Sequence, residues 1–129
     1  MSNIPKWAQD LLINACIFLQ NKEYKADLPI IIWRHGTNQL SSGNASKERI
    51  VITAGRNRTD QRLVLLHEYA HTLPETNHHD AAFWDIAWIL YREFKVPIRY
   101  ALNRERGYRK EAIKAYHRSK CNTIKRGIT

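Results

Sequence analysis

The chain has 129 residues, a length that fits one domain spanning 1–129 and predicts a modest hydrophobic core. Hydrophobic residues make up 43% of it and charged residues 26%, which excludes a wholly disordered chain. No apolar run approaches the ~20 residues that cross a bilayer, and the first residues lack the regions of a signal peptide. Two cysteines without a CxxC pair predict neither a disulfide framework nor a zinc ribbon. We therefore expect a cytoplasmic protein with no membrane partner.

The positive charge is concentrated at the C-terminal end. Residues 96–129 hold ten of the 21 Lys and Arg residues and two of the 12 Asp and Glu residues, so they carry +8 of the net charge of +9. We interpret residues 95–129 as a basic extension of the domain that attracts polyanions, nucleic acid above all. The candidate DNA-binding residues are Arg104, Arg106, Arg109, Lys110, Lys114 and Arg118. The alternative is a solvated basic helix without a partner.

The first half of the chain predicts one helix followed by a small sheet. Apolar residues recur at helical spacing over residues 5–20. Two short apolar segments rich in isoleucine, residues 28–34 and 49–53, predict strands. A third strand is expected near residues 38–40, and the polar segment 41–44 is predicted to be a loop.

The second half predicts three helices: residues 61–73, a segment containing Phe83 to Phe94, and residues 107–119. Pro74 and Pro97 end the first two. The candidate N-caps are Thr59 or Asp60 for the first helix and Asn77 or Asp80 for the second. A helix, a small sheet and then further helices predict an α+β domain.

The first of these helices contains the pattern H-E-x-x-H, formed by His67, Glu68 and His71. Residues four apart share one helix face, so the two imidazoles can bind a single metal ion. Glu68 lies about 100° round the helix and can take a proton from a metal-bound water without ligating the metal. Zinc lowers the pKa of such a water to about 7, which supplies a nucleophile at neutral pH. The alternative is a hydrogen-bonded histidine pair in the core.

A catalytic zinc site has three protein ligands and one open position. The candidates for the third ligand lie downstream of His71. His78 and His79 precede the next helix, and Glu93 lies within it. Spacing alone does not choose among the three.

The motif and its sequel resemble the small SprT-like and YgjP-like zincin metallopeptidases over about residues 59–94. Those families follow HExxH with an H-x-x-x-[FW] signature whose histidine completes the site. His79 with Phe83 fits that signature, and His78 fits it less well. The interval of eight positions from His71 to His79 is longer than in the YgjP-like group. The C-terminal zinc ribbon of many SprT-like proteins is missing, which weakens any transfer of their DNA-repair role.

The resemblance implies a minimal zincin-type metallopeptidase domain that holds Zn²⁺ through His67, His71 and His79, with Glu68 as general base. In zincins a strand edge above the site commonly holds an extended substrate, and residues 49–53 are the candidate strand. Three tyrosines could stabilise an oxyanion or simply pack: Tyr100, Tyr108 and Tyr116. Three tryptophans are predicted to lie in the core: Trp33, Trp84 and Trp88.

Three functions compete on this sequence. The first is a zinc metallopeptidase that acts on protein or peptide substrates, including DNA-associated proteins. The second is a nucleic-acid-binding module with a structural zinc site, and the third is a zinc hydrolase of a non-peptide bond. Glu68 favours an enzyme, because a structural site needs no carboxylate beside an open ligand position.

Overall fold

The computed structural model describes residues 4–76, 78–105, 110 and 112–118. One helix precedes three strands, and further helices follow them. The elements are α1 Lys6–Asn21, β1 Ile30–His35, β2 Ser42–Ala45, β3 Arg49–Ala54, α2 Arg58–His71, α3 Ala81–Glu93 and α4 Ile98–Arg104. Residues 110 and 112–118 are also helical. This order confirms the predicted α+β fold class.

The three strands form a mixed sheet in the order β1-β3-β2. β3 is parallel to β1 and antiparallel to β2, so Ile52 lies opposite Trp33 on one side and Gly43 on the other. Alternate residues of β3 point into the core, and Ile50 and Ile52 are fully buried. β3 is therefore the central strand of the sheet and β2 is an edge strand.

Two strand predictions are wrong. Residues 42–45 form β2 rather than part of a loop, and residues 38–40 form bends rather than a strand. The carbonyl groups of residues 38–39 accept hydrogen bonds of 3.0 Å from the amides of residues 56–57. The segment before β2 is thus tied to the start of α2, and the sheet pairing begins four residues later than expected.

α2 is the central helix of the domain. It begins after Asn57, whose Oδ1 accepts a hydrogen bond of 3.0 Å from the amide of Asp60, so the N-cap precedes both predicted candidates. Every residue from 63 to 70 is buried. The helix ends at His71 rather than Leu73, because both the amide and the hydroxyl of Thr72 turn back to the carbonyl group of Tyr69.

Buried residues between Ala8 and Ala115 form one hydrophobic core around α2. Trp33, Trp84 and Trp88 belong to it, as predicted. The Trp88 indole nitrogen donates a hydrogen bond of 2.8 Å to the carbonyl oxygen of Ala112, which fixes the last described helical segment against α3. Part of the predicted helix 107–119 lies outside the described residues. No helix within the described residues is long and apolar enough to cross a membrane.

Candidate metal centre

Three imidazole rings, from His67, His71 and His79, converge between α2 and the start of α3; we call them the histidine cluster. Nε2 of His79 lies 3.2 Å from Nε2 of His67 and 3.2 Å from Nε2 of His71. The three ligand atoms all lie within 4.8 Å of one another. In a tetrahedral site with Zn–N distances of about 2.0–2.1 Å, ligand nitrogens are about 3.3–3.4 Å apart. The cluster therefore has the spacing of a three-histidine metal site.

Two aromatic side chains of α3 wall the histidine cluster. The ring of Phe83 stacks on the ring of His71, with their centroids 4.1 Å apart and an interplanar angle of 16°. It lies edge-on to the ring of His67, with a centroid distance of 4.9 Å. The indole of Trp84 stacks on His79 at 5.7 Å. Both aromatic residues are fully buried. The H-x-x-x-F spacing therefore has a structural role in this chain. Phe83 lies one helical turn after His79, and its ring contacts all three imidazoles of the cluster.

The connection from α2 to α3 delivers His79 to the cluster. Asp80 caps α3 by accepting a hydrogen bond of 2.9 Å from the amide of Phe83, which confirms one of the two predicted caps. His78 adopts a left-handed conformation with φ of 52° and reverses the chain just before His79. Lys47, in the turn between β2 and β3, donates hydrogen bonds of 2.6 and 2.7 Å to the carbonyl groups of Leu73 and Thr76.

The other two candidates for the third ligand do not join the group. His78 is exposed and lines the wider cavity, but its ring is not one of the three whose nitrogens converge. Glu93 is exposed at the far end of α3. Among the described residues, His67, His71 and His79 form the group whose ligand atoms meet at one point.

Two rings of the histidine cluster, His71 and His79, resist protonation. Burial, and then the neighbouring His67 and His79 rings, lower the pKa of His71 to about 3. Burial and the charge of His67 likewise lower the pKa of His79. Neutral imidazole is the form that binds a metal ion, so these rings are available as ligands without first losing a proton.

Glu68 lies beside the cluster, 8% exposed, and lines the same cavity. Burial raises the pKa of its carboxyl group; the positive charge of His67 opposes this shift and the carboxylate of Glu105 adds to it. The edge strand passes closely over this side chain at Gly43. A Cβ atom there would lie 2.9 Å from Cγ of Glu68 and 3.0 Å from the carbonyl oxygen of Val51. Glycine therefore allows the approach of β2 to the carboxylate.

A buried carboxylate from α4 contacts the opposite side of the His67 ring. Oε2 of Glu105 lies 2.6 Å from Nδ1 of His67 and accepts a second hydrogen bond, of 3.0 Å, from the hydroxyl of Tyr91. Glu105 is 3% exposed and Tyr91 is fully buried. The contact with Glu105 leaves Nε2 as the nitrogen of His67 that faces the other two histidines.

Asp60, at the start of α2, anchors α4. Its Oδ1 accepts hydrogen bonds from the Tyr100 hydroxyl at 2.6 Å and from Nε of Arg104 at 2.7 Å. Its Oδ2 accepts one of 2.6 Å from the amide of Ser41, whose carbonyl group is in turn bound by Arg104. Tyr100 is therefore occupied as an anchor and not aimed at the histidine cluster.

The remaining tyrosine candidates do not reach the cluster within the described residues. Tyr116 packs against Trp88, with ring centroids 5.4 Å apart. Tyr108 lies outside the described residues. Tyr91, which was not among the three tyrosine candidates, lies near His67, with its hydroxyl 3.4 Å from Nδ1.

Three cavities lie along β2 and the turn that follows it. The first, of about 230 Å³, is lined by residues 42–43 and reaches His67 and Glu68. The second, of about 430 Å³, is lined by residues 43–47 and contains the histidine cluster. The third, of about 550 Å³, is lined by residues 47–48 and by the apolar segment 28–30. Shared walls at Gly43 and Lys47 make them one groove.

This groove corrects the expected position of the substrate strand. β3, residues 49–54, is hydrogen-bonded on both sides and has no unpaired edge to offer an extended peptide. β2 is the strand that borders the groove. The sequence suggested a loop there, because Ser42, Gly43 and Asn44 are all poor strand formers.

The candidate DNA-binding residues lie in different environments. Arg104 is held by Asp60 and Ser41 on the side facing α2. Arg118 forms a surface ion pair of 2.8 Å with Asp85. Lys110 and Lys114 are exposed. Arg106 and Arg109 lie outside the described residues.

Two residues of the site, Gly43 and Glu105, were not anticipated from the sequence. The sequence offers one weak indication that Glu105 is special: residues 96–129 contain ten Lys and Arg residues but only two acidic ones, and Glu105 is one of the two. Comparison of the chain with protein-family models, curated proteins and solved structures gave no match. The chemistry of the site therefore has to be derived from its own residues.

Proposed function

We propose that the chain is a zinc-dependent peptidase of the zincin type, similar to the SprT-like enzymes. The observation that carries the proposal is the convergence of three Nε2 atoms in an open cavity that Glu68 also lines. A hydrogen-bonded histidine pair in the core does not account for a third imidazole brought in from another element. It also does not account for a buried carboxylate beside the three rings.

Zinc fits this donor set on three counts. Nε2 of His79 lies 3.2 Å from Nε2 of each of the other two rings, close to the spacing of a tetrahedral site. The pKa values of His71 and His79 are lowered, which favours the neutral form that binds a metal ion. Imidazole is also a preferred zinc ligand. Held by His67, His71 and His79, Zn²⁺ would act as a Lewis acid and lower the pKa of a water molecule.

Glu68 would supply the proton transfers. Its carboxylate accepts the proton of the attacking water and then donates it to the nitrogen of the departing amine. Burial raises the pKa of Glu68, which brings the carboxyl group closer to the working pH at which general acid–base catalysis is most effective. A structural zinc site would not require such a carboxylate in an open cavity.

The edge strand β2 favours a polypeptide as substrate. β2 is an edge strand, and its residues line the first and second cavities. An extended peptide can add to such an edge as a further strand, with backbone hydrogen bonds supplying affinity and side-chain pockets supplying selectivity. Gly43 would let the scissile bond lie close to Glu68, because no side chain intervenes.

The test combines metal analysis with proteolysis. We expect about one zinc per chain, cleavage of casein or of an extended fluorogenic peptide, and loss of cleavage after chelation. Glu68→Gln should keep zinc and the fold but lose about 10²–10⁴-fold in rate, because an amide cannot take up the proton. A zinc-loaded wild-type protein that cleaves no polypeptide would overturn the peptidase proposal and leave a structural zinc site as the better account.

A further inference from the structure

Glu105 carries a buried carboxylate, although it belongs to the basic C-terminal segment whose charged side chains we expected to face solvent. It is the C-cap residue of α4, yet its side chain is only 4% exposed. Burying an ionised carboxylate is costly unless hydrogen bonds compensate for the lost water. His67 and Tyr91 supply that compensation at 2.6 and 3.0 Å. The carboxylate thus depends on these two donors, and His67 is a member of the histidine cluster.

We propose that Glu105 is a positioning residue for the metal centre: it holds His67 with the proton on Nδ1, directs Nε2 towards His71 and His79, and thereby couples metal binding to the docking of α4. This role rests on the metal site proposed above. It adds a residue that the HExxH and H-x-x-x-F patterns do not contain.

The geometry explains how one contact can fix both the tautomer and the ring. Only one nitrogen of a neutral imidazole carries a proton, and a carboxylate at 2.6 Å from Nδ1 can be satisfied only by a proton there. Nε2 is then left as the lone-pair atom, as a metal ligand requires. Because Glu105 lies opposite the cluster, it also opposes rotation of the ring away from the metal.

The same contact connects the centre to the chain after α3. α4 is fastened to α2 at Asp60 through Tyr100 and Arg104, and Glu105 follows at once. If Glu105 strengthens metal binding, metal binding must strengthen the docking of α4 by the same free energy. The basic segment that begins at α4 is therefore expected to be more firmly held in the metal-loaded protein.

Zinc affinity tests the first half of the proposal and needs no peptidase activity. Zinc would be titrated against a chelating indicator for wild type and for Glu105→Leu, which keeps bulk and removes the acceptor. Outer hydrogen-bond partners of this kind are worth about 10–100-fold in metal affinity, and we expect a loss of that size. Glu105→Gln, which retains an oxygen acceptor, should lose less. Tyr91→Phe should lose least, since the contact between Glu105 and His67 survives.

A matched control separates positioning from general destabilisation. Leu19→Ala removes a fully buried side chain of α1 and should lower the unfolding midpoint, while leaving zinc affinity unchanged. Long-range ¹⁵N spectra of the imidazoles give a direct signature. Metal-free wild type should show His67 protonated on Nδ1, and metal-free Glu105→Leu should show a mixture of both tautomers.

Amide hydrogen exchange tests the coupling. Zinc should slow exchange at the α4 amides, such as those of Ala101 and Glu105, as well as in α2. In Glu105→Leu saturated with zinc, the effect on α4 should shrink while the effect on α2 persists. Wild type that binds no zinc would contradict the proposed metal site itself. Zinc binding of equal strength in wild type and Glu105→Leu, with the same α4 protection, would overturn the role of Glu105 alone.

Discussion

A Cβ atom at Gly43 would stand 2.9 Å from Cγ of Glu68 and 3.0 Å from Cδ1 of Ile52, so the edge strand packs directly against Glu68 with no room for a side chain at position 43. We expect Gly43→Ala to displace one of the two. A displacement of about 1 Å in a catalytic group can cost about 10²-fold in rate. Hydrolysis should fall by about that factor while zinc content stays at the wild-type level.

Gly36→Ala is the matched control for this change. A Cβ atom at Gly36 would also be crowded, although less tightly, with Cγ2 of Thr53 at 3.0 Å and the carbonyl oxygen of Ala54 at 3.2 Å; Glu68 is not among its neighbours. Its kcat/KM for a peptide substrate should remain near that of wild type. Equal losses in both variants would show that crowding at either glycine lowers activity, and would contradict a specific effect of Gly43 on Glu68.

The third cavity should select for apolar residues in long substrates. Leu28 and Ile30 line it and are 51% and 61% exposed. We expect Leu28→Glu to reduce kcat/KM about tenfold for extended peptides that carry an apolar residue at the end of the groove, because that side chain loses its burial. Short peptides that span only the histidine cluster should be cleaved at the wild-type rate.

Leu40→Glu provides the comparison for the third cavity, since Leu40 is 50% exposed and does not line it. That variant should not distinguish long from short peptides. A peptide library scored by cleavage rate measures both variants at once. If Leu28→Glu and Leu40→Glu gave the same profile as wild type, the cavity would have no part in substrate selection.

The metal-free protein should lose stability in mild acid. The pKa of His71 is about 3 in the folded chain, against an ordinary value of 6.5, because burial and then the charges of His67, His79, Lys47 and His78 disfavour its protonation. Below pH 6.5 the unfolded chain therefore binds a proton that the folded chain excludes. Stability should fall as pH drops from about 6.5 towards 3, and this contribution should vanish above pH 6.5.

Urea unfolding with a chelator present, at pH 7.5, 6 and 5, measures this dependence. His71→Gln should flatten it, because the glutamine does not titrate. His35→Gln is the control, since His35 is exposed on β1 and does not belong to the cluster. A wild-type stability that rose between pH 7.5 and 5 would have the opposite sign to that required by the lowered pKa of His71.

The basic segment is still predicted to bind nucleic acid through phosphates. The test uses Lys110 and Lys114, which are both exposed. Arg104 is left unchanged because it anchors α4 to Asp60 and Ser41. We expect Lys110→Glu with Lys114→Glu to weaken binding to labelled DNA without changing zinc content. Fluorescence anisotropy from ~50 to ~200 mM salt should show affinity falling steeply and little preference for sequence.

Reversal of Arg34 and Arg49 to Glu makes the same change in net charge at exposed positions in the sheet. DNA affinity should fall less in that variant than in the lysine pair. If wild type bound neither single- nor double-stranded DNA at the lowest salt, the charge of residues 96–129 would have another purpose.

Local patterns located α1, α2 and α3 and two of the strands, but they missed α4, which follows Pro97 directly. α1 and α3 were recognisable from apolar residues at helical spacing, and β1 and β3 from short apolar segments rich in isoleucine. β2 was missed because Ser42, Gly43 and Asn44 are typical loop residues. Its conformation is imposed by pairing with β3 and by the need to pass over Glu68.

The histidine cluster was largely visible in the sequence, and its surroundings were not. His67 and His71 are four residues apart on one helix, and His79 is followed by Phe83 at the signature spacing. Glu105 lies 38 positions after His67, in a segment whose charge suggested only solvent or nucleic acid. No local pattern encodes such a contact, because it depends on how α4 docks against α2 through Asp60.

Zinc content after single substitutions tests the metal centre most directly. Wild type, His79→Ala, His78→Ala and Glu93→Ala would be purified, loaded with zinc, freed of excess metal and analysed for bound zinc and folded secondary structure. We predict about one zinc per chain in wild type, His78→Ala and Glu93→Ala, and a large loss in folded His79→Ala. Full occupancy in His79→Ala together with loss in Glu93→Ala or His78→Ala would contradict the assignment of the third ligand to His79.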